Sequence, residues 1–194
     1  MTTSRLLQGA AVLGLLAAGS PASAGADVLS GTVTTKVRSG VSAAQAVVYA
    51  EPLSGTAPAA APKPFSVTQK GKTFTPRVLG VPAGAAVRFP NDDDIFHNVF
   101  SLSPGHAFDL GLYRAGASKT RTFATPGVVR VFCNIHPQMT ALVVVAPTPW
   151  VTTAAPDGSW RLELPAGRYR LTALSERAAP VTVEIAVSGT ATAP

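Results

Sequence analysis

The side chains of this chain best equipped for chemistry are one thiol, two imidazoles and one thioether. Cys133, His136 and Met139 sit together in Gly127-Val-Val-Arg-Val-Phe-Cys133-Asn-Ile-His136-Pro-Gln-Met139-Thr-Ala-Leu-Val-Val-Val145. Thirty-six residues before the thiol, His97 lies in Phe89-Pro-Asn-Asp-Asp-Asp-Ile-Phe-His97-Asn98-Val-Phe100. A thiolate and two imidazoles in a trigonal set, with a long axial thioether, suit one copper ion. Soft sulfur favours Cu(I), and imidazole also suits Cu(II). Neither state is fully satisfied, so little rearrangement accompanies gain or loss of one electron. A free peptide would relax around such an ion, so the set needs a rigid frame.

The local pattern supplies one. Val128 to Phe132 reads as a strand that Cys133 ends, Asn134 to Gln138 as a tight loop closed by Pro137, and Met139 to Val145 as the next strand. Three donors thus meet at one end of a hairpin, and His97 stands where another loop enters a strand. Beyond a leader at 1–24, Cys133 is the only cysteine and Met139 the only methionine. An inert buried thiol is the bland reading of a lone cysteine. Both its spacing and its uniqueness oppose that reading. A catalytic Cys–His pair lacks an orienting third group, and methionine is a poor zinc ligand.

The rest of the chain bounds the class. Arg5 precedes an apolar run from Leu6 to Ala18 and an Ala22-Ser23-Ala24 end. That pattern predicts a signal peptide cleaved after Ala24 and a periplasmic or otherwise exported protein. The run is too short to span a bilayer, and no later stretch predicts a span. A single cysteine excludes an internal disulfide. Without Arg5 the formal charge falls from +6 to +5. The basic residues are scattered, with no stripe of the kind that binds nucleic acid.

Short runs alternate apolar and polar residues, as in Trp160-Arg-Leu-Glu-Leu164, Tyr169-Arg-Leu-Thr-Ala173 and Val181-Thr-Val-Glu-Ile-Ala-Val187. Asp157-Gly158 and Ala166-Gly167 punctuate them. With 17 Gly and 17 Pro, long helices are not expected, and the fold class is all-β. Residues 53–64 are rich in Pro and Ala and read as a stiff linker. A second boundary falls near Pro147-Thr148-Pro149, which sets off residues 65–147 as the metal-bearing unit. Residues 25–52 hold about two strands, Gly31–Val37 and Gln45–Ala50, and residues 148–190 hold about four.

Neither outer piece buries enough surface alone. Together, Gly31-Thr-Val33, Ala46-Val-Val-Tyr49, Ala155-Pro-Asp-Gly-Ser-Trp160 and Leu164-Pro-Ala-Gly-Arg-Tyr-Arg-Leu171 resemble the transthyretin-like, carboxypeptidase-regulatory-type sandwich. The expectation is that the central unit is inserted into this outer sandwich or packed beside it.

The central segment resembles the cupredoxins. Cys-x-x-His-Pro-x-Met is similar to the short copper loop of amicyanins. Phe74-Thr-Pro76, Val81-Pro-Ala-Gly84, Val87-Arg-Phe-Pro-Asn91 and His97-Asn-Val99 follow a plastocyanin-like pattern. The resemblance covers about 80 residues and implies an eight-strand Greek-key sandwich that carries electrons between larger proteins. It implies one copper held by His97, Cys133, His136 and Met139, no catalytic residues, and transient redox partners such as a cytochrome or a dehydrogenase. Two departures matter. The segment is short for the family, so a strand is missing or lent by residues 28–50. Ile135 stands where relatives carry Pro, so its N–H, beside that of Asn98, is expected to reach the thiolate and raise the reduction potential.

Other side chains have plainer readings. His106 is expected in a solvated loop, Asp92-Asp93-Asp94 as a hydrated turn, and Trp150 and Trp160 in packing. Ile135, Pro137, Phe96 and Pro104 are candidates for an apolar rim around His136. Two other functions compete with electron carriage. One is copper handling, which would favour Met-rich or His-rich tracts that this chain lacks. The other is a redox-silent scaffold.

Overall fold

A computed structural model describes residues 26–37, 40–43, 45–176, 178–188 and 191–192. The expected leader at 1–24 lies outside them. Among them, every regular element is a strand. Before the linker come β1 (Asp27–Thr32), β2 (Thr34–Val37), β3 (Gly40–Ala43) and β4 (Ala46–Pro52). After it come β5 (Phe65–Ser66), β6 (Thr68–Lys70), β7 (Thr73–Thr75), β8 (Val78–Pro82), β9 (Ala85–Pro90), β10 (His97–Ser101), β11 (Phe108–Tyr113), β12 (Ser118–Phe123), β13 (Gly127–Phe132) and β14 (Thr140–Ala146). The last group is β15 (Val151–Thr153), β16 (Ser159–Leu164), β17 (Gly167–Ser175), β18 (Val181–Val187) and β19 (Ala191–Thr192).

The central strands form one sheet in the order β11-β10-β13-β14-β8 and another in the order β12-β9-β5. Alternation explains how they close. Val129 and Val131 of β13 and Val87 and Phe89 of β9 point inward, whereas Arg130 and Arg88 point to water. The inward set meets Val99, Phe123, Val143 and Val145 in one core that also holds Cys133 and Met139. No strand of the outer pieces joins these sheets among the described residues. The strand that the short segment was expected to lack or borrow is not lent by residues 28–50, because β4 pairs with β15 and β17.

The outer strands form a sheet in the order β15-β4-β17-β18, and β1 pairs with β16. Trp160, Leu162 and Leu164 alternate inward from β16 onto Val48, Ala50, Tyr169 and Leu171. Trp150 meets Tyr169 edge-on at 5.5 Å.

The run Ala141–Ala146 does not alternate, and its burial shows why. Ala141, Val143 and Val145 face the central core, while Leu142 and Val144 face Val47 of β4 and Val78 of β8. A strand covered on both faces reads as continuously apolar. The central sheet and the outer sheet β15-β4-β17-β18 therefore share an apolar seam. The Gly80 amide donates to Thr153 Oγ1 at 2.8 Å, and Arg77 grips Glu176 with two hydrogen bonds of 3.0 and 3.1 Å. A Cβ on Gly80 would lie 2.6 Å from Val47 Cγ1 and 2.9 Å from Val151 Cγ2. Gly80→Val is expected to destabilise the protein by about 1–3 kcal/mol through overpacking, read as a lower urea midpoint.

Candidate metal centre

The loop from Cys133 to Met139 is tied at both ends. The Cys133 amide donates to the Met139 carbonyl at 3.3 Å, and the Met139 amide donates to the His136 carbonyl at 2.9 Å. A third tie comes from β10. Asn98 Oδ1 accepts from the Asn134 amide at 3.0 Å, and its Nδ2 donates to Asp109 Oδ1 at 2.7 Å. The β10–β11 register shifts between Asn98 and Phe100. Irregularities of this kind re-aim side chains next to sites. Here His97 sits at the start of β10, wholly buried, with its ring turned to the hairpin tip.

His97 Nδ1 lies 3.1 Å from His136 Nδ1 and 4.0 Å from Cys133 Sγ, and His136 Nδ1 lies 3.9 Å from that sulfur. Bonds of about 2.0–2.3 Å from one ion to nitrogen and sulfur require donor separations below about 4.3 Å. All three separations meet that limit. Two imidazole nitrogens facing each other at this range also need a proton or a cation between them. The donor set therefore fits one soft ion. Met139 is wholly buried in the same core as Cys133. His136 is half-buried beside exposed Ile135 and Pro137, with Phe96 on the preceding loop 54% exposed.

Behind His97 lies a group that the turn chemistry of the sequence misassigned. Asp93 was expected to be hydrated with its neighbours. Its Oδ2 instead meets His97 Nε2 at 2.7 Å. It also accepts the Gly71 amide at 2.6 Å and the Lys72 amide at 3.0 Å. Burial alone would raise its pKa. Hydrogen bonds from Lys72, His97 and Gly71 outweigh that and hold the carboxyl at about 2. Asp93 is thus an anion across the working pH range. Desolvation, then the charges of His97 and Lys72, keep His136 below the ordinary imidazole value against an opposing pull from Asp93.

Three further expectations change. His106 is buried rather than solvated, because its ring packs over Gly127, where an added Cβ would fall 2.4 Å from Nε2. Pro104 follows the end of β10 opposite His97, so it is no part of a rim around His136. Among the described residues, neither the Ile135 nor the Asn98 amide donates to Cys133 Sγ, whose polar neighbours are the two imidazoles. Asn98 acts through its side chain instead, holding the loop by Asn134.

No helix among the described residues is long and apolar enough to cross a membrane. No protein-family model and no curated protein matches this chain. Solved structures do. A purple cupredoxin from Nitrosopumilus maritimus matches at 24% identity over 42% of this chain and 99% of its own, with a TM-score of 0.38. A Cu(I) form of a mutant amicyanin matches at 24% identity over 50% of this chain and 99% of its own, with a TM-score of 0.41. A Cu-containing nitrite reductase from Thermus scotoductus SA-01 matches at 28% identity over 50% of this chain, with a TM-score of 0.42, and this chain spans 25% of its length.

Proposed function

We propose that this chain is an exported type 1 copper protein that carries single electrons between redox proteins. One observation carries the reading: His97 Nδ1, His136 Nδ1 and Cys133 Sγ converge within 4.0 Å of one another, while the loop that holds two of them is strapped to the strand that holds the third. Copper held there supplies one-electron redox chemistry. The protein's part is to keep the donors still. His97, Cys133 and Met139 are packed in a core that resists relaxation on a change of charge. His136 alone approaches solvent, so it is the ligand through which an electron would pass.

Around it, Ile135, Pro137 and Phe96 form an exposed apolar rim. A small patch of that kind suits brief docking to a cytochrome or dehydrogenase rather than a lasting complex. In this reading the molecule is a carrier and not an enzyme, and residues 65–147 form a copper unit inserted into a transthyretin-like outer sandwich. Copper-loaded protein is expected to be bleached by ascorbate and to regain its colour on reoxidation over repeated cycles. Colour that fails to return would remove the carrier reading. Met139→Leu is expected to keep the ion bound and to raise the reduction potential, because a thioether that would favour Cu(II) by donating to it is removed. A shift of about tenfold in the Cu(I)/Cu(II) ratio is 59 mV for a one-electron couple, well within reach of voltammetry.

A further inference from the structure

The β6–β7 hairpin lies outside both large sheets. Its register pairs Lys70 with Thr73, which leaves Gly71 and Lys72 as a two-residue turn. Both have left-handed backbones, with φ of 60° and 56°. Such a turn needs positive φ at both central positions. Glycine meets that need freely, whereas for lysine the left-handed conformation costs about 1–2 kcal/mol. Lys72 is the non-glycine residue with positive φ among the described residues. Successive amides in this conformation form a concave anion seat. An anion occupies it: the Asp93 carboxylate, on a loop more than 20 residues away.

That carboxylate is shared. The same Oδ2 that takes the Lys72 amide takes His97 Nε2. With Nδ1 turned to the other donors, the imidazole proton belongs on Nε2 and is given to Asp93. A carboxylate in that position makes a ligating imidazole a stronger donor and fixes its ring. A stronger nitrogen donor favours Cu(II) over Cu(I). Asp93 also cannot drift, because Asn91 Oδ1 accepts its amide at 3.2 Å and the hairpin holds both its oxygens.

We propose that Asp93, seated in the Gly71–Lys72 turn, is a positioning residue that sets the donor strength of His97 and so the balance between the two oxidation states of the bound ion. The proposal rests on the copper reading of the site. It places a determinant of the reduction potential on a hairpin that contributes no ligand.

The test compares copper-loaded wild type with Asp93→Asn, which keeps the shape of the side chain and removes its charge. The expected result is a retained visible band, a midpoint potential raised by about 59 mV, corresponding to a tenfold shift toward Cu(I), and Cu(II) affinity reduced about 10–100-fold. Lys72→Gly keeps both turn amides and removes the ammonium, so no upward shift is expected from it. An unchanged potential in Asp93→Asn, or an equal upward shift in Lys72→Gly, would overturn the proposal. Should Asp93→Asn fail to fold, proton NMR of the diamagnetic Cu(I) wild type decides. A downfield, slowly exchanging His97 Nε2 proton supports the seat, and exchange at the rate of a free imidazole overturns it. A wild type that shows no intense band with Cu(II) sinks the copper reading and this inference with it. A band with no shift in the variant sinks this inference alone.

Discussion

Cys133→Ser is expected to abolish the intense visible absorption of the copper-loaded protein while leaving the fold in place. The colour of a copper–thiolate site arises at the sulfur, and this chain offers one sulfur of that kind. The serine hydroxyl fills less space than the thiol, and the two imidazole nitrogens stand 4.0 and 3.9 Å from the sulfur, so the change brings no clash into the core. The strap through Asn98 and Asn134 uses no sulfur atom and should survive. The variant is therefore expected to show the circular dichroism and a urea midpoint close to those of the wild type, with weak or no colour on titration with Cu(II). An intense band that persists would place the chromophore elsewhere.

The second large effect concerns the loop that leads to His97. Asn91 is wholly buried. Its Nδ2 donates to the Ile95 carbonyl at 2.8 Å and the Tyr113 carbonyl at 3.2 Å, and its Oδ1 accepts from the Asp93 amide. Its backbone joins the neighbouring turn, accepting from Gly116 and donating to Ala117. Asn91→Ala would strand several of these groups. Each buried group left without a partner costs about 1–3 kcal/mol, and the losses share one site, so a combined cost of about 2–4 kcal/mol is expected. Urea unfolding should show a lower midpoint with an unchanged slope. Copper should also leave this variant faster, because the carboxylate behind His97 is no longer held. A cost below about 1 kcal/mol would mean that the loop is held by something other than Asn91.

The hairpin of Cys133, His136 and Met139 was legible because it is local: residue types, spacing and strand periodicity all lie within one short stretch. The remote imidazole of His97, which the structure brings to this hairpin, was legible for a different reason. It stands at the start of Val- and Phe-bearing strand residues, and the chain has few histidines to choose from. The all-β class followed from alternation in β16, β17 and β18. The continuous apolar run of β14 was readable as a strand, but its reason was not, since Leu142 and Val144 are buried against Val47 and its neighbours on the outer strands, whose placement no local pattern encodes.

What escaped was long-range and polar. Asp93 looked like one of three equivalent acids in a turn, and its neighbours Asp92 and Asp94 are indeed exposed. Only the fold brings the Gly71–Lys72 amides onto it. His106 looked like a loop histidine because Ser103-Pro104-Gly105 precedes it, yet Gly127 on a distant strand leaves the gap that its ring fills. The amide of Ile135 was expected at the thiolate from a missing proline alone. The loop is instead oriented by Asn98, a side chain whose role depends on a register shift in β10 that the sequence does not signal.

Optical titration of the copper-free protein with Cu(II) tests the central claim most directly. Binding by one thiolate and two imidazoles predicts an intense blue band that grows linearly and stops at one equivalent. A colourless or faintly coloured complex, or a band that continues to grow past one equivalent, would contradict it.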